Sequence, residues 1–345
     1  MPIVPTYPGV YIEELLSQSL SIVSGATAVP AIATNSPAPF DTTVKITSWL
    51  EFMTLVPKFD TANTLHVSVK TYFDNGGGYC YLIPTDQLEA KVPKLDDVTL
   101  LVAAGQDIEA VAGKLCVKGA CLFAILDGEN NAVPTAPDSS VGAFAAVYYP
   151  WLKADWADDI PPSAAVAGAY CTVDRERGVW KAPANIELKG GVKPKYKVSD
   201  ATQGHFNRGK ALNMIREFQD SGTLIWGSRT LEPDLDWRYV PVRRLFNSAE
   251  KDIKKTMQTM VFEPNNSFTW ERVRGAIDNY LRKLWQEGGL LGNSEKEAYF
   301  VQIGKGLSMT EDDIKDGRMI VNVGMAAVRP AEFIILQFTQ DVGQG

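Results

Sequence analysis

Histidine is nearly missing: 345 residues contain two, His66 and His205. A histidine-based metal centre or proton relay therefore has almost nothing to draw on, and both are read as structural. Cysteine is almost as scarce. Cys80, Cys116, Cys121 and Cys171 form no C-x-x-C pair and sit in apolar stretches. That argues against a disulfide framework or a zinc site and for buried free thiols. No run approaches the roughly 18 apolar residues of a membrane span. No basic leader precedes a long apolar stretch, so no signal peptide and synthesis in the cytoplasm are expected. There is no G-x-x-x-x-G-K-[ST] phosphate loop. The glycines after Asn75 follow a helical pattern and precede a strand pattern, the wrong order for a phosphate cradle. A net charge of −7 speaks against a general nucleic-acid binder.

What is present is an ordinary globular composition, 45% hydrophobic and 22% charged, in a chain long enough for two domains. Residues 22–34 are small and apolar and predict a buried strand. "SWLEFMTLVP" predicts a short helix stopped by Pro57. In "TLHVSVKTYFDNGGGYCYLIPT", Leu65, Val69, Tyr72 and Phe73 fall at helical spacing. Gly76 supplies a stop, and a strand follows from Tyr79 to Ile83. From Asp97 the pattern is α/β. "VTLLVAAG", "ACLFAILDG" and "AFAAVYYPWLK" are continuous apolar runs of parallel-strand type, with a helix expected over 107–117. From Pro161, small side chains through Ala169 predict a tightly packed helix, with Ser163 as its cap and the charges of "DRERG" at its C-terminal end. "GGVKPKYKVSD" reads as an exposed basic loop. "RGKALNMIREFQDSG" is expected to be an amphipathic helix ended by Gly222. "TLIWGSRTL" and "WRYVPVRRL" are expected as strands, the second running into a helix that ends before Pro264.

The strongest periodicity belongs to residues 265–292. Trp270, Val273, Ile277, Leu281 and Leu284 form one apolar stripe, with Asn266 or Ser267 as cap and Gly288-Gly289 as stop. Its other face carries Arg274, Asp278 and Arg282 at i, i+4 spacing. A short helix capped by Thr310 with Asp313 three residues on follows. "RMIVNVGMAAV" and "AEFIILQFTQ" predict closing strands. Residues 238–283 hold ten basic against five acidic side chains, a net +5 within an acidic chain. This is either a solvated helix surface or a basic face meeting an acidic partner.

Two groups of carboxylates could suggest enzyme chemistry. Asp127 ends an apolar strand in "LDG", and Asp174 with Glu176 could be read as an acid/base pair in "DRERG". Neither comes with a nucleophile–base, phosphate or metal motif. An Asp-Gly turn and an Arg–carboxylate network fixing a contact surface are the simpler readings. No catalytic, cofactor-binding or metal site is assigned. A different question comes from the chain ends. Val10, Tyr11 and Ile12 at one end, and Phe333, Ile334, Ile335 and Leu336 at the other, have strand character with no evident partner.

The segments "YPGVYIEE", "YFDNGGGYCYLI", "PPSAAVAGAYCTVDRERGVWKAPAN", "NRGKALNMIREFQDSGTLIWGSRTL", "FEPNNSFTWERVRGAIDNYLRKLWQEGGLLG" and "VRPAEFIILQF" resemble, in this order, a contractile tail sheath protein of the short form. That family includes the sheaths of phage tails, R-type pyocins and extracellular contractile injection systems. The resemblance implies a structural polymer, not an enzyme. Hexameric rings of self-associated subunits stack around an inner tube and contract to drive it through a target envelope. It implies a mixed α/β fold. An inner domain is built from N- and C-terminal parts (21–95 and 238–328), with an outer α/β domain between them (96–237). Strand-forming arms flank the body at 1–20 and 329–345. The implied partners are further copies, the inner tube protein, baseplate and terminator proteins, and paralogous sheath subunits where a particle has them. No cofactor, nucleic acid or direct membrane contact is implied. The particle assembles in the cytoplasm, as a phage tail or a tail-like particle released from the cell.

Backbone physics suits this resemblance, because an isolated strand cannot satisfy its own polar groups. Addition to a neighbour's sheet edge would satisfy them. Arg272, Arg274, Arg282 and Lys283 are the candidates for facing an acidic tube, with Arg274 and Arg282 also able to pair with Asp278. The different-class alternatives are an inner tube or baseplate protein and an α/β enzyme.

Overall fold

A computed structural model describes residues 20–335. The arm residues Val10, Tyr11, Ile12 and Leu336 lie outside the described residues.

The first half builds most of a nine-stranded sheet. Strand β1 (Pro30–Thr34) is buried throughout, and β2 (Val44–Ile46) precedes helices α1 (Trp49–Leu55) and α2 (Thr64–Asp74). Ser48 and Asn63 cap these helices by accepting backbone N–H groups. Strand β3 (Cys80–Pro84) leads to α3 (Leu88–Lys91), β4 (Leu100–Val102), α4 (Glu109–Leu115), β5 (Phe123–Asp127) and β6 (Ala145–Tyr149). A small excursion, β7 (Leu152–Ala154) and β8 (Ala157–Ile160), precedes the long α5 (Pro162–Arg177). Then come β9 (Ile186–Glu187), β10 (Lys193–Pro194), α6 (Asp200–Phe206), β11 (Leu212–Phe218) and β12 (Gly222–Ile225). The large sheet runs β2-β3-β1-β4-β5-β6-β11-β12-β9. Its six inner strands, β3 to β11 in that order, are parallel, and the flanking strands are antiparallel.

Parallel strands are covered on both faces, which explains their unbroken apolar character. Ile32, Leu100, Phe123 and Tyr148 point into a core under α1, α2 and α5. Ala31, Leu101, Leu126 and Tyr149 point into a second core against α3 and α4. Strands on both sides of the expected 95/96 division belong to this one sheet, because β1 lies between β3 and β4. That division therefore falls inside a single sheet.

The remainder has its own core. Helix α7 (Val240–Met257) and α8 (Ser267–Gln286) pack with α9 (Glu295–Ala298), β13 (Tyr299–Gln302), α10 (Glu311–Lys315) and β14 (Asn322–Met325). Asn266 is the cap of α8, and Val273, Ile277, Leu281 and Leu284 are buried as the stripe predicts. Thr310 and Asp313 form a reciprocal capping box at α10. Among the described residues, strands β13 and β14 pair only with each other.

Four expectations are corrected. Residues 212–218 form a strand, not a helix. Leu212 and Met214 enter one core and Ile215 the other, so a strand buried on both faces imitates helical spacing. Its polar Asn213 is buried, donating to the Val147 and Arg229 carbonyls and accepting from the Arg229 N–H. Gly222 begins the return strand with φ +71°, as a tight hairpin requires. "WRYVPVRRL" does not form a strand. Helix α7 starts at Val240, and Pro241 in its first turn suits a helix start. Ser163 is not a cap. Pro161 holds that position, and Asp127 accepts the Ser163 N–H at 2.7 Å from across the fold. Finally, Ala331–Ile335 is not a strand within its own chain.

Candidate functional site

Two of the carboxylates that suggested an enzyme, Asp127 and Asp174, are occupied by structural duties. Asp127 accepts from the Gly105 N–H, the Ser163 N–H and the Ser163 hydroxyl at 2.7, 2.7 and 2.8 Å. Burial pushes its pKa up to about 6, against the pull of these three donors. It ties the end of β5 to the start of α5. Asp174 is taken by Arg244, and Glu176 is exposed to solvent. A cleft of about 400 Å³ is lined in part by Gly25, Asp174, Trp180, Asp252 and Tyr280. Its carboxylates are likewise engaged. Asp252 accepts the Gly25 N–H at 3.0 Å and the Tyr280 hydroxyl at 2.9 Å. The four cysteines are free and buried, and His66 accepts the Asp60 N–H between Phe52 and Phe59. No cluster among the described residues could hold a metal ion.

The candidates for assembly contacts named from sequence lie at the chain ends and on α8 of the C-terminal unit. Leu20 and Ile22 pack against the core of α7 and α8. From there Gly25 and Thr27 are pinned by Asp252 and Asp174, and the Val29 N–H donates to the Thr99 hydroxyl. The N-terminal segment thus bridges the C-terminal unit and the large sheet. At the other end the chain leaves β14, passes Arg329, which binds Asp236 at 2.9 Å, and reaches Glu332. Glu332 is held by Arg229. Immediately beyond it Phe333, Ile334 and Ile335 are 69%, 79% and 81% exposed.

The four basic candidates on α8 divide. Arg274 is paired with Glu271 at 2.7 Å and donates to the Ile303 carbonyl at 2.6 Å, so its partner is not Asp278. Arg282 lies between Asp278 at 3.2 Å and Glu295 at 3.0 Å. Arg272 lies over the ring of Phe268. Lys283 is well exposed, with Glu287 at 3.9 Å. The basic excess of 238–283 is also partly internal. Arg243 is buried against Trp237 and Phe144 and paired with Glu250, and Arg244 is buried on Asp174. Local pattern gave no sign of these two, because their partners are distant in sequence or their burial depends on tertiary packing.

A sequence profile described as the phage tail sheath C-terminal domain matches residues 232–341, the stretch that contains α7, α8, β13 and β14. Over almost its whole length the chain is similar to the sheath protein of an extracellular contractile injection system, the PVC sheath complex in its contracted state. The two are 57% identical, with 99% of each covered and a TM-score of 0.89. The chain belongs to the contractile sheath proteins. It is also similar to the helical sheath of the anti-feeding prophage in its contracted state. That match has 44% identity, 98% of this chain and 100% of the other covered, and a TM-score of 0.83. A prophage major tail sheath protein of Pseudomonas aeruginosa strain UCBPP-PA14 is 30% identical over 136 residues. The match spans 35% of this chain and 35% of that relative's length. The sheath fold, mixed α/β with a large mixed sheet, is the one expected from sequence.

Proposed function

We propose that this sheath subunit polymerises as stacked hexameric rings around an inner tube by exchanging terminal strands, and contracts to drive the tube through a target envelope. The observation that carries the reading is the small sheet of β13 and β14. Two strands make a marginal sheet alone, and each has a single strand partner among the described residues. Phe300 on β13 faces Gly324 on β14 and its ring covers the glycine, which keeps the pair in register. Arms carrying Val10, Tyr11 and Ile12 or Phe333, Ile334, Ile335 and Leu336 are suited to extend it from neighbouring copies. Such head-to-tail contacts generate open helical polymers.

In this reading the unit at 238–328 faces the tube, and Arg272, Arg274, Arg282 and Lys283 include the residues that meet an acidic surface. The body lies outside, the arms span subunits, and baseplate and terminator proteins end the stack. Assembly takes place in the cytoplasm before release. Contraction draws its work from new subunit contacts, a two-state shift that uses no nucleotide. Electron microscopy of the purified chain tests the reading: hollow sleeves are expected, whereas thin rigid tubes or discrete particles would contradict it.

A further inference from the structure

Glu332 fastens the C-terminal segment to Arg229 and Tyr239 after the chain has left β14. Arg229 lies just beyond β12 and is 8% exposed. Its Nε donates to both carboxylate oxygens of Glu332 at 3.0 and 3.1 Å, and a terminal nitrogen donates to Oε2 at 2.6 Å. The other terminal nitrogen donates to the Asn207 carbonyl. The Tyr239 hydroxyl donates to the same Oε2 at 3.0 Å. Three donors therefore converge on one carboxylate through four contacts, in the forked geometry by which guanidinium recognises carboxylate.

The location gives this cluster its meaning. Strand β14 belongs to the C-terminal unit, whereas Arg229 follows the last long strand of the large sheet. Between residues 325 and 332 the chain crosses from one to the other. The next three residues are large, apolar and exposed. Glu332 is thus the last fixed point before the apolar stretch. An arm that must reach a neighbour from a floating origin loses register and effective concentration; one from a fixed origin keeps both.

We propose that Glu332, clasped by Arg229 and Tyr239, is a positioning residue for the C-terminal arm. It sets where the arm leaves its own subunit, and hence the reach and register with which the arm meets a second copy. The proposal rests on the strand-exchange reading given above. Arg329–Asp236, three residues upstream, is a solvent-exposed pair and serves as the internal control.

The test uses the full chain with Glu332→Ala, Glu332→Gln, Arg329→Ala, and a chain ending at residue 332. Three readouts are taken: thermal melting of unassembled protein, chymotryptic cleavage after Phe333, and sleeve yield by electron microscopy. Glu332→Ala is expected to leave the melt within a few degrees of the parent, to speed cleavage after Phe333 at least tenfold, and to cut sleeve yield at least tenfold. Glu332→Gln is expected to fall between, since it keeps the shape but not the charge. Arg329→Ala is expected to match the parent in all three readouts. Normal sleeves from Glu332→Ala, with none from the chain ending at 332, would overturn the clasp while leaving strand exchange standing. Sleeves from the chain ending at 332 would instead overturn the strand-exchange reading. A melt lowered in step with sleeve yield would assign Glu332 to folding and also overturn the proposal.

Discussion

Asp174 and Arg244 form a two-pronged ion pair, with contacts of 3.0 and 2.6 Å, in which both side chains are closed to solvent. Asp174 lies in the last turn of helix α5, which packs on the large sheet, and Arg244 is the fifth residue of α7 in the C-terminal unit. The pair also gathers Thr27, whose hydroxyl donates to Asp174 and whose carbonyl accepts from Arg244. The guanidinium lies 4.5 Å from the centre of the Tyr170 ring. Removing one partner strands the other charge in a dry site. Arg244→Met should therefore cost about 3–5 kcal/mol in urea unfolding. The double variant Asp174→Leu/Arg244→Met should recover most of that loss. Equal losses in the single and double variants would show that packing, not the stranded charge, sets the cost.

Helix α5 is built of small residues because α2 presses against it. A methyl group on Gly168 would lie 2.3 Å from the Tyr72 carbonyl oxygen and 2.9 Å from the Asn75 side chain. Gly168→Ala gains roughly 1 kcal/mol of helix propensity but must force the helices apart. Overpacking of this kind costs about 1–3 kcal/mol. A net lowering of the melting temperature is expected, and a rise would mean that the two helices separate freely.

The Asp127 carboxyl has a pKa pushed up to about 6 by burial, above its ordinary value of 3.8. The folded state therefore holds more protons than the unfolded state between about pH 4 and 6. Its contribution is fully present below pH 4 and is lost as pH rises through 6. The change is on the order of 1–3 kcal/mol, since each pKa unit corresponds to about 1.4 kcal/mol. Asp127→Asn should flatten the stability profile across this window. An unchanged slope in the variant would assign the pH dependence to other groups.

Arg272 and Lys283 are eleven residues apart on α8, three turns, and so share one side of the helix. Reversing both to Glu should leave the melt close to the parent and weaken assembly on the tube, most visibly at moderate salt. Extended particles forming at normal yield with both reversals would remove these residues from the tube contact.

The helices with a polar face and the doubly buried strands show how far sequence pattern reaches. Helix α8 was legible because one face meets solvent, so its stripe and its Asn266 cap stand out. Strand β11 was not, because both its faces are covered and its one polar residue, Asn213, is buried in a network with Arg229. The same limit applies to the assembly surface. The apolar chain ends were visible as segments without partners. Their fastening points, Glu332 on Arg229 and Gly25 on Asp252, join residues 103 and 227 positions apart. No local window contains both members of such a pair.

The central claim is that the chain ends add strands to neighbouring copies. If a docked arm forms about five backbone hydrogen bonds, at roughly 0.5–1.5 kcal/mol each, it contributes on the order of 3–7 kcal/mol to each contact. The most direct measurement is electron microscopy, paired with thermal melting, of the full chain and of a chain lacking residues 1–16. The account expects hollow sleeves from the full chain alone and a cooperative melt from both. Ile12→Pro should impair sleeves more than Ile12→Ala, because proline removes a backbone donor and alanine does not. Sleeves formed equally by the shortened chain, or collapse of its monomer fold, would contradict it.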